Sequence, residues 1–195
     1  MDNGLSFCVN NMNISVNYRG FYNIYNILAA FSAANMLKID LKNFNDVLSC
    51  YKPQIGRMEP YDIGKPVVFN LSKNPAGFNQ ALSTVIGDKR RKSIVVVIND
   101  NDQDGNDISW IWDVDFERFS DANANTLYAS GIRHNDVCVR FKYAELINFE
   151  DVRDVKTAIL KAKEDKSEVI YVLVNYTALF STENILKELS SEGKK

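Results

Sequence analysis

The run Ile94 to Ile98 is apolar at every position, and Val169 to Val174 reads the same way; nothing else in the chain constrains the fold as much. A strand with one wet face alternates apolar and polar residues. A strand that does not alternate is covered on both faces, which is the pattern of the central strands of a parallel sheet. Parallel neighbours need crossover connections, and stretches of helical spacing lie where these belong. After the short apolar run Val67-Val68-Phe69, Asn74 stands as an N-cap with Pro75 at the first helical position. Phe78, Leu82 and Val85 share one face, and Gly87 stops the helix. Thr126 to Ala129 reads as a strand, Ile132 to Ala144 as a helix and Leu146-Ile147 as the start of another strand. Asp151 is placed to cap a helix with Val152, Val155 and Ile159 inward, and a last helix starts near Ala178, with Glu183 and Lys187 at i,i+4 spacing. The expected fold class is α/β, a Rossmann-like, mostly parallel sheet with helices on both faces. The chain has no GxGxxG, so a dinucleotide is not the expected ligand.

The N-terminal part has another rhythm. Leu5-Phe7 and Met12-Ile14-Val16 alternate around Asn10-Asn11, as in a β-hairpin. Ile24, Ile27, Leu28, Phe31 and Leu37 then follow at helical spacing from Tyr22, and a second helix, Leu41 to Tyr51, ends before Pro53. A hairpin and two helices are too little for a stable fold, so residues 1–54 read as the end of a domain that starts elsewhere, and 55–195 as a domain of its own. The 195 residues would be cramped as two complete domains.

Composition narrows the function. With 46% hydrophobic and 25% charged residues and a net charge of −2, the chain has no overall basic footprint for nucleic acid or anionic lipid. The cluster Lys89-Arg90-Arg91-Lys92 reads as a solvated turn between helix and strand. Cys8, Cys50 and Cys138 are odd in number and far apart, which speaks against a disulfide framework or zinc ribbon. No apolar stretch approaches a transmembrane span, and the N-terminus lacks signal-peptide order, so the expected location is cytoplasmic.

Ligands of open α/β sheets sit at the carboxyl ends of the strands. Two loops there are unusual. In Ser72-Lys73-Asn74-Pro75-Ala76-Gly77, an ammonium precedes the free N–H groups of a helix start, which suits a carboxylate or phosphate. In the second, Asp100, Asp102, Asp104, Asp107, Asp113, Asp115 and Glu117 crowd together. Asp100, Asp102, Asp104 and Gly105 match the first half of an EF-hand, but Asp107 stands where an apolar residue belongs and Ile111 where the bidentate Glu belongs. That loop also follows a strand rather than a helix, so no metal site is expected. His134 is the only histidine and lies one helical turn from Cys138; without a further base and oxyanion site this pair does not make a hydrolase. No GxxxxGK[ST] occurs, so a phosphate cradle would have to come from another segment.

In order along the chain, four stretches resemble landmarks of the Mur ligase superfamily. Arg19-Gly20-Phe21-Tyr22-Asn23-Ile24-Tyr25-Asn26-Ile27-Leu28-Ala29-Ala30 resembles the end of the central ATPase domain, with Tyr22 where many members have His. Gly56-Arg57-Met58-Glu59 resembles the start of the C-terminal domain. Lys73 falls where these ligases place a lysine for the substrate carboxylate. The acidic run from Asn99 to Glu117, with Ser72 to Gln80, is similar to the MurT branch, the ligase subunits of lipid II isoglutaminyl synthases.

This resemblance implies ATP-dependent amidation of the D-Glu α-carboxylate of lipid II at the inner face of the membrane. Ammonia would come from a GatD-like glutaminase partner, to whose Cys-His site the ligase subunit adds an aspartate in trans. It further implies Asn23, Asn26 and Arg57 as nucleotide contacts, Lys73 and Asn74 as substrate contacts, and Asp107, with Asp104 second, as the donated aspartate. Cofactors would be ATP with Mg, and the family's P-loop and four-Cys zinc ribbon would lie upstream of Met1. The fragment alone would be inactive. Competing readings are a Mur-type or folylpolyglutamate-type amino acid ligase and a non-catalytic docking domain.

Overall fold

The computed structural model describes residues 4–17, 20–51 and 54–192. Arg19 and Pro53, both used above, lie outside them. The chain divides into two units, Met1–Met58 and Glu59–Lys195.

In the first unit β1 (Leu5–Val9) and β2 (Met12–Val16) pair antiparallel, joined through Asn10 and Asn11. Both asparagines have positive φ, 46° and 62°, which the tight two-residue hairpin turn demands and Asn tolerates. Helices α1 (Tyr22–Met36) and α2 (Phe44–Cys50) follow. Ile14, Val16, Ile27 and Phe31 form a small core, flanked by Leu5, Phe7 and Phe44. The second helix starts three residues later than its apolar spacing suggests.

The second unit contains a six-stranded sheet in the order β3-β4-β8-β5-β6-β7. Its strands are β3 (Glu59–Asp62), β4 (Pro66–Leu71), β5 (Lys92–Val97), β6 (Ala124–Ser130), β7 (Phe149–Asp151) and β8 (Val169–Val174). Only β3 runs antiparallel. Pro60 cannot donate to a ladder, which suits an edge strand and also hides β3 from a search for apolar runs. The two unbroken apolar runs become the adjacent central strands β5 and β8, and every residue in both strands is buried. Helices α5 (Val155–Glu164) and α6 (Leu179–Glu192) cover one face, with Ile159, Ala162, Leu186 and Leu189 packed on Val95, Val97, Ile170 and Val172. Phe78 of α3 (Pro75–Gly87), Phe141 of α4 (His134–Tyr143), and Phe116 and Phe119 of an intervening 3-10 segment form an aromatic cluster, with Phe116 5.0 Å from Phe78 and 5.4 Å from Phe141. The parallel sheet, covered by helices, agrees with the sequence reading.

Three local readings are corrected. Leu146-Ile147 does not begin a strand: the Leu146 N–H bonds to Phe141 O (3.1 Å) and the Glu145 N–H to Lys142 O (3.0 Å), with Glu145 at φ 56°. This is a Schellman stop to α4, and it leaves Ile147 89% exposed. Asp151 is not a cap. Asp154 caps α5, accepting from Thr157 N (2.8 Å) and Oγ1 (2.6 Å), while Asp151 lies in β7. The basic cluster is only partly solvated, for Lys92 is fully buried and its ammonium donates to the carbonyls of Asp88 (2.8 Å) and Ala122.

Arg90 in the same cluster grips Asp88 with two nitrogens, and the Tyr171 hydroxyl donates to Asp88 at 2.9 Å. Burial alone would raise this carboxyl. The Arg90 and Tyr171 hydrogen bonds override burial and bring it from 3.8 to about 2. A depressed native pKa stabilises fully above the unfolded value and is lost as pH falls toward the folded one. Wild type should therefore lose on the order of 2 kcal/mol between about pH 4 and pH 2 through Asp88. Denaturant titrations of wild type and Asp88→Asn across that range should converge at the acid end.

Candidate functional site

The carboxyl ends of β4, β8 and β5 lie side by side, and the loops that leave them build a groove of about 150 Å³ lined by Lys73, Gln103, Asp104, Trp110, Asn175 and Tyr176. Lys73 comes from the β4–α3 loop. Its Nζ lies 5.7 Å from the Tyr176 ring centroid, and among the described residues no carboxylate pairs with it. Asn74 caps α3, accepting from Gly77 N at 2.8 Å. The starts of α3 and α6 both follow strands that end at the groove, so the positive ends of two helices add to the lysine charge. The groove therefore sets one ammonium, Lys73, against one carboxylate, Asp104, whose two oxygens are already bonded to Thr177.

The acidic loop is spread out rather than gathered. Asp104 gives both oxygens to Thr177, accepting from its N–H (2.9 Å) and its hydroxyl. Asp100 pairs with Arg133 at 3.5 Å. Asp107 accepts from Ser109 N at 2.7 Å, and this bond, with one from the Ser109 side chain, holds its carboxyl below the ordinary range. Glu117 pairs at 2.8 Å with the buried Arg140, whose guanidinium lies over Trp112 and Phe116. Like charges avoid one another here by turning to different partners. Among the described residues no three His, Cys, Asp or Glu side chains converge as a metal site requires.

Asp104 and Asp107 therefore differ in kind. Asp104 is half-buried and committed to Thr177; Asp107 is exposed and, among the described residues, bonded only by its neighbour Ser109. The structure brings Lys73 and Asp104 to one groove and leaves Asp107 off its lining.

Asn175, Tyr176 and Thr177 were missed by sequence reasoning. Asn175 exchanges hydrogen bonds with the backbone of Asn99, as acceptor at 3.0 Å and donor at 2.8 Å, and so ties the ends of β8 and β5 together. The rule that led to the loop after Ile98 applies equally after Val174. Gly131 matters for a related reason: at φ 90°, a Cβ there would lie 2.6 Å from Ile98 O.

His134 Nδ1 lies 2.5 Å from Asp151 Oδ1. Burial pushes the neighbouring Cys138 thiol up to about 11, so this Cys-His pair holds no thiolate for nucleophilic attack.

In the first unit Asn23 and Asn26 face the same side of α1, with Asn26 Nδ2 donating to Asn23 Oδ1 at 3.4 Å. Burial raises the Tyr22 hydroxyl, and the Arg57 guanidinium beside it works in the opposite direction. Two amides and a guanidinium on one small unit are groups that suit a purine edge and a phosphate.

A family model described as MurT ligase C-terminal matches residues 71–179, a span that contains the whole groove and the acidic loop. The chain belongs to the MurT ligase C-terminal family. Among MurT relatives, the lipid II isoglutaminyl synthase (glutamine-hydrolyzing) subunit MurT of Streptococcus pneumoniae is 32% identical, over 95% of this chain and 42% of that protein. The subunit of the same name from Staphylococcus aureus is 32% identical over 88% of this chain and 39% of its own length. The chain thus spans about two fifths of the MurT proteins it matches.

Solved structures agree on the fold. A pseudomurein peptide ligase type C from Methanothermus fervidus superposes with a TM-score of 0.69 at 19% identity, covering 97% of this chain and 40% of that one. A MurF ligase from Thermotoga maritima in complex with ADP gives 0.68 at 16%, covering 98% and 44%. Among the described residues no helix is long and apolar enough to cross a membrane.

Proposed function

We propose that this chain is the C-terminal part of the ligase subunit of a lipid II isoglutaminyl synthase, with residues 1–54 ending the central ATPase domain and 55–195 forming the C-terminal domain. The full enzyme amidates the D-Glu α-carboxylate of lipid II, working from the cytoplasmic side of the membrane. ATP with Mg supplies the phosphoryl group that turns the carboxylate into an acyl phosphate; ammonia attacks the acyl carbon and phosphate leaves. Asn23, Asn26 and Arg57 would hold the nucleotide. The phosphate cradle, and any zinc ribbon, belong to the length of the relatives that this chain does not span.

Lys73 binds the anionic substrate in the groove, beside Asn74, which caps the start of α3. Asp107 serves a second site, on a glutaminase partner. Its ionised carboxylate accepts a hydrogen bond from the partner's imidazole N–H, fixes the tautomer and stabilises the imidazolium. The observation that carries this reading is the contrast within one loop: Asp104 is bound on both oxygens, while Asp107 stands exposed and held ionised by Ser109.

The test is reconstitution of the full-length protein with a glutaminase subunit, ATP, glutamine and lipid II. Conversion of the α-carboxylate to the amide supports the reading. Transfer of an amino acid instead would replace it with an amino acid ligase. With ammonia as nucleophile, Lys73→Ala should lower kcat/KM for lipid II by about 10- to 100-fold, the loss expected for one charge-assisted hydrogen bond. Glutamine hydrolysis measured without lipid II should be untouched, and an unchanged kcat/KM would remove Lys73 from the substrate site.

A further inference from the structure

Building on the reading of Asp107 as the residue that completes the partner's site, we propose that Thr177 is a positioning residue that fixes the Asp107 loop and couples it to occupancy of the groove beside Lys73.

One residue grips the loop at two points. Thr177 donates its N–H (2.9 Å) and its hydroxyl to the two oxygens of Asp104, and the same hydroxyl oxygen accepts from Asn101 Nδ2 at 2.9 Å. The hydroxyl thus spends its single proton on Asp104 and a lone pair on Asn101. Asn101 and Asp104 are also joined to each other by a backbone bond of 2.7 Å, so Thr177 holds a closed turn. Beyond Ile108, buried Ile111 and Val114 seat the chain again. Between Asp104 and the buried Ile108 the three intervening residues, Gly105, Asn106 and Asp107, are all exposed, with Gly105 turning the backbone at φ 75°. The position of Asp107 is thus set by where Asp104 is held.

The same anchors wall the groove. Gln103 and Asp104 precede Asp107, Trp110 follows it, and all three line the space opposite Lys73, Asn175 and Tyr176. Thr177 directly follows two of those opposing residues. A carboxylate-bearing substrate in the groove therefore meets both the segment that carries Thr177 and the loop that Thr177 grips. Filling the groove narrows the positions open to Asp104, and with them those open to Asp107, so that glutamine is hydrolysed fastest when an acceptor is in place.

The experiment uses the full-length complex with its glutaminase and measures glutamine hydrolysis with and without lipid II. Ammonia-driven amidation serves as the control for folding. Wild type should hydrolyse faster with lipid II present. Thr177→Val should lose that acceleration and lower the kcat for glutamine by about 10- to 100-fold, as expected for a catalytic group displaced by about 1 Å. KM for glutamine should stay put, because glutamine binds to the partner. Thr177→Ser, which keeps the hydroxyl, should restore both properties, and Asn101→Ala, at an exposed side chain, should shift kcat in the same direction by less. Equal losses in the Val and Ser variants, or a wild type indifferent to lipid II, overturn the coupling. If Asp107→Asn abolishes hydrolysis while Thr177→Val does not change kcat, the grip alone is wrong; if Asp107→Asn is silent, the underlying reading falls with it.

Discussion

Asp107→Asn in the full complex should lower the kcat of glutamine hydrolysis by about 10³- to 10⁴-fold, the scale seen when the aspartate of a catalytic triad loses its charge. The amide is nearly isosteric with the carboxylate, so the loop should keep its shape. What disappears is the negative charge that selects one imidazole tautomer. The exposed setting of Asp107 makes a folding defect a poor explanation for any loss, and ammonia-driven amidation should proceed at the wild-type rate. Asp104→Asn should behave differently: its side chain would still touch Thr177, but an amide cannot accept on both of its polar atoms. Stopped assays with glutamine and with ammonium salts separate the two variants, and full glutaminase activity in Asp107→Asn would exclude it from the partner's site.

Phe116→Ala should destabilise the second unit by about 3–5 kcal/mol, the range for removing a fully buried aromatic ring. Phe116 is 0% exposed and meets Phe78, Phe119 and Phe141 at 5.0, 5.6 and 5.4 Å, and it also carries the Arg140 guanidinium at 5.4 Å. Its loss leaves a cavity where α3, α4 and the loop meet. Urea titration should show the drop in midpoint with little change in slope. The consequence reaches the loop, because Phe116 and Arg140 secure the far end of the segment that begins at Asp100. A change below about 1 kcal/mol would mean that the ring is not well packed, against the expectation for a core phenylalanine.

The central sheet was legible because Ile94–Ile98 and Val169–Val174 leave no alternative to two-sided burial, and the helix at Asn74-Pro75 announced itself through its cap. The edge strand at Pro60 and the Schellman stop at Glu145 were not legible, since the first carries no apolar run and the second depends on one residue adopting positive φ. Lys92 is a similar case: a lysine in a basic cluster gives no sign that two carbonyls wait for it below the sheet. Lys73 and the acidic loop could be found from strand ends, and they do lie at one. The ranking of Asp107 before Asp104 comes from the resemblance, and the contrast in their settings was not legible, for it turns on Thr177, which is 73 residues from Asp104 in sequence. Hydrogen bonds of that span leave no periodic trace in the chain.

The chain has two tryptophans, and they stand two residues apart in the segment that follows Asp107. Trp110 lines the groove, while Trp112 is half exposed and packs edge-on against Tyr143, 5.2 Å away. Their emission therefore provides two built-in optical reporters, separable by single Trp→Phe replacement. One is sensitive to what enters the groove, the other to what excludes water from the surface around Tyr143.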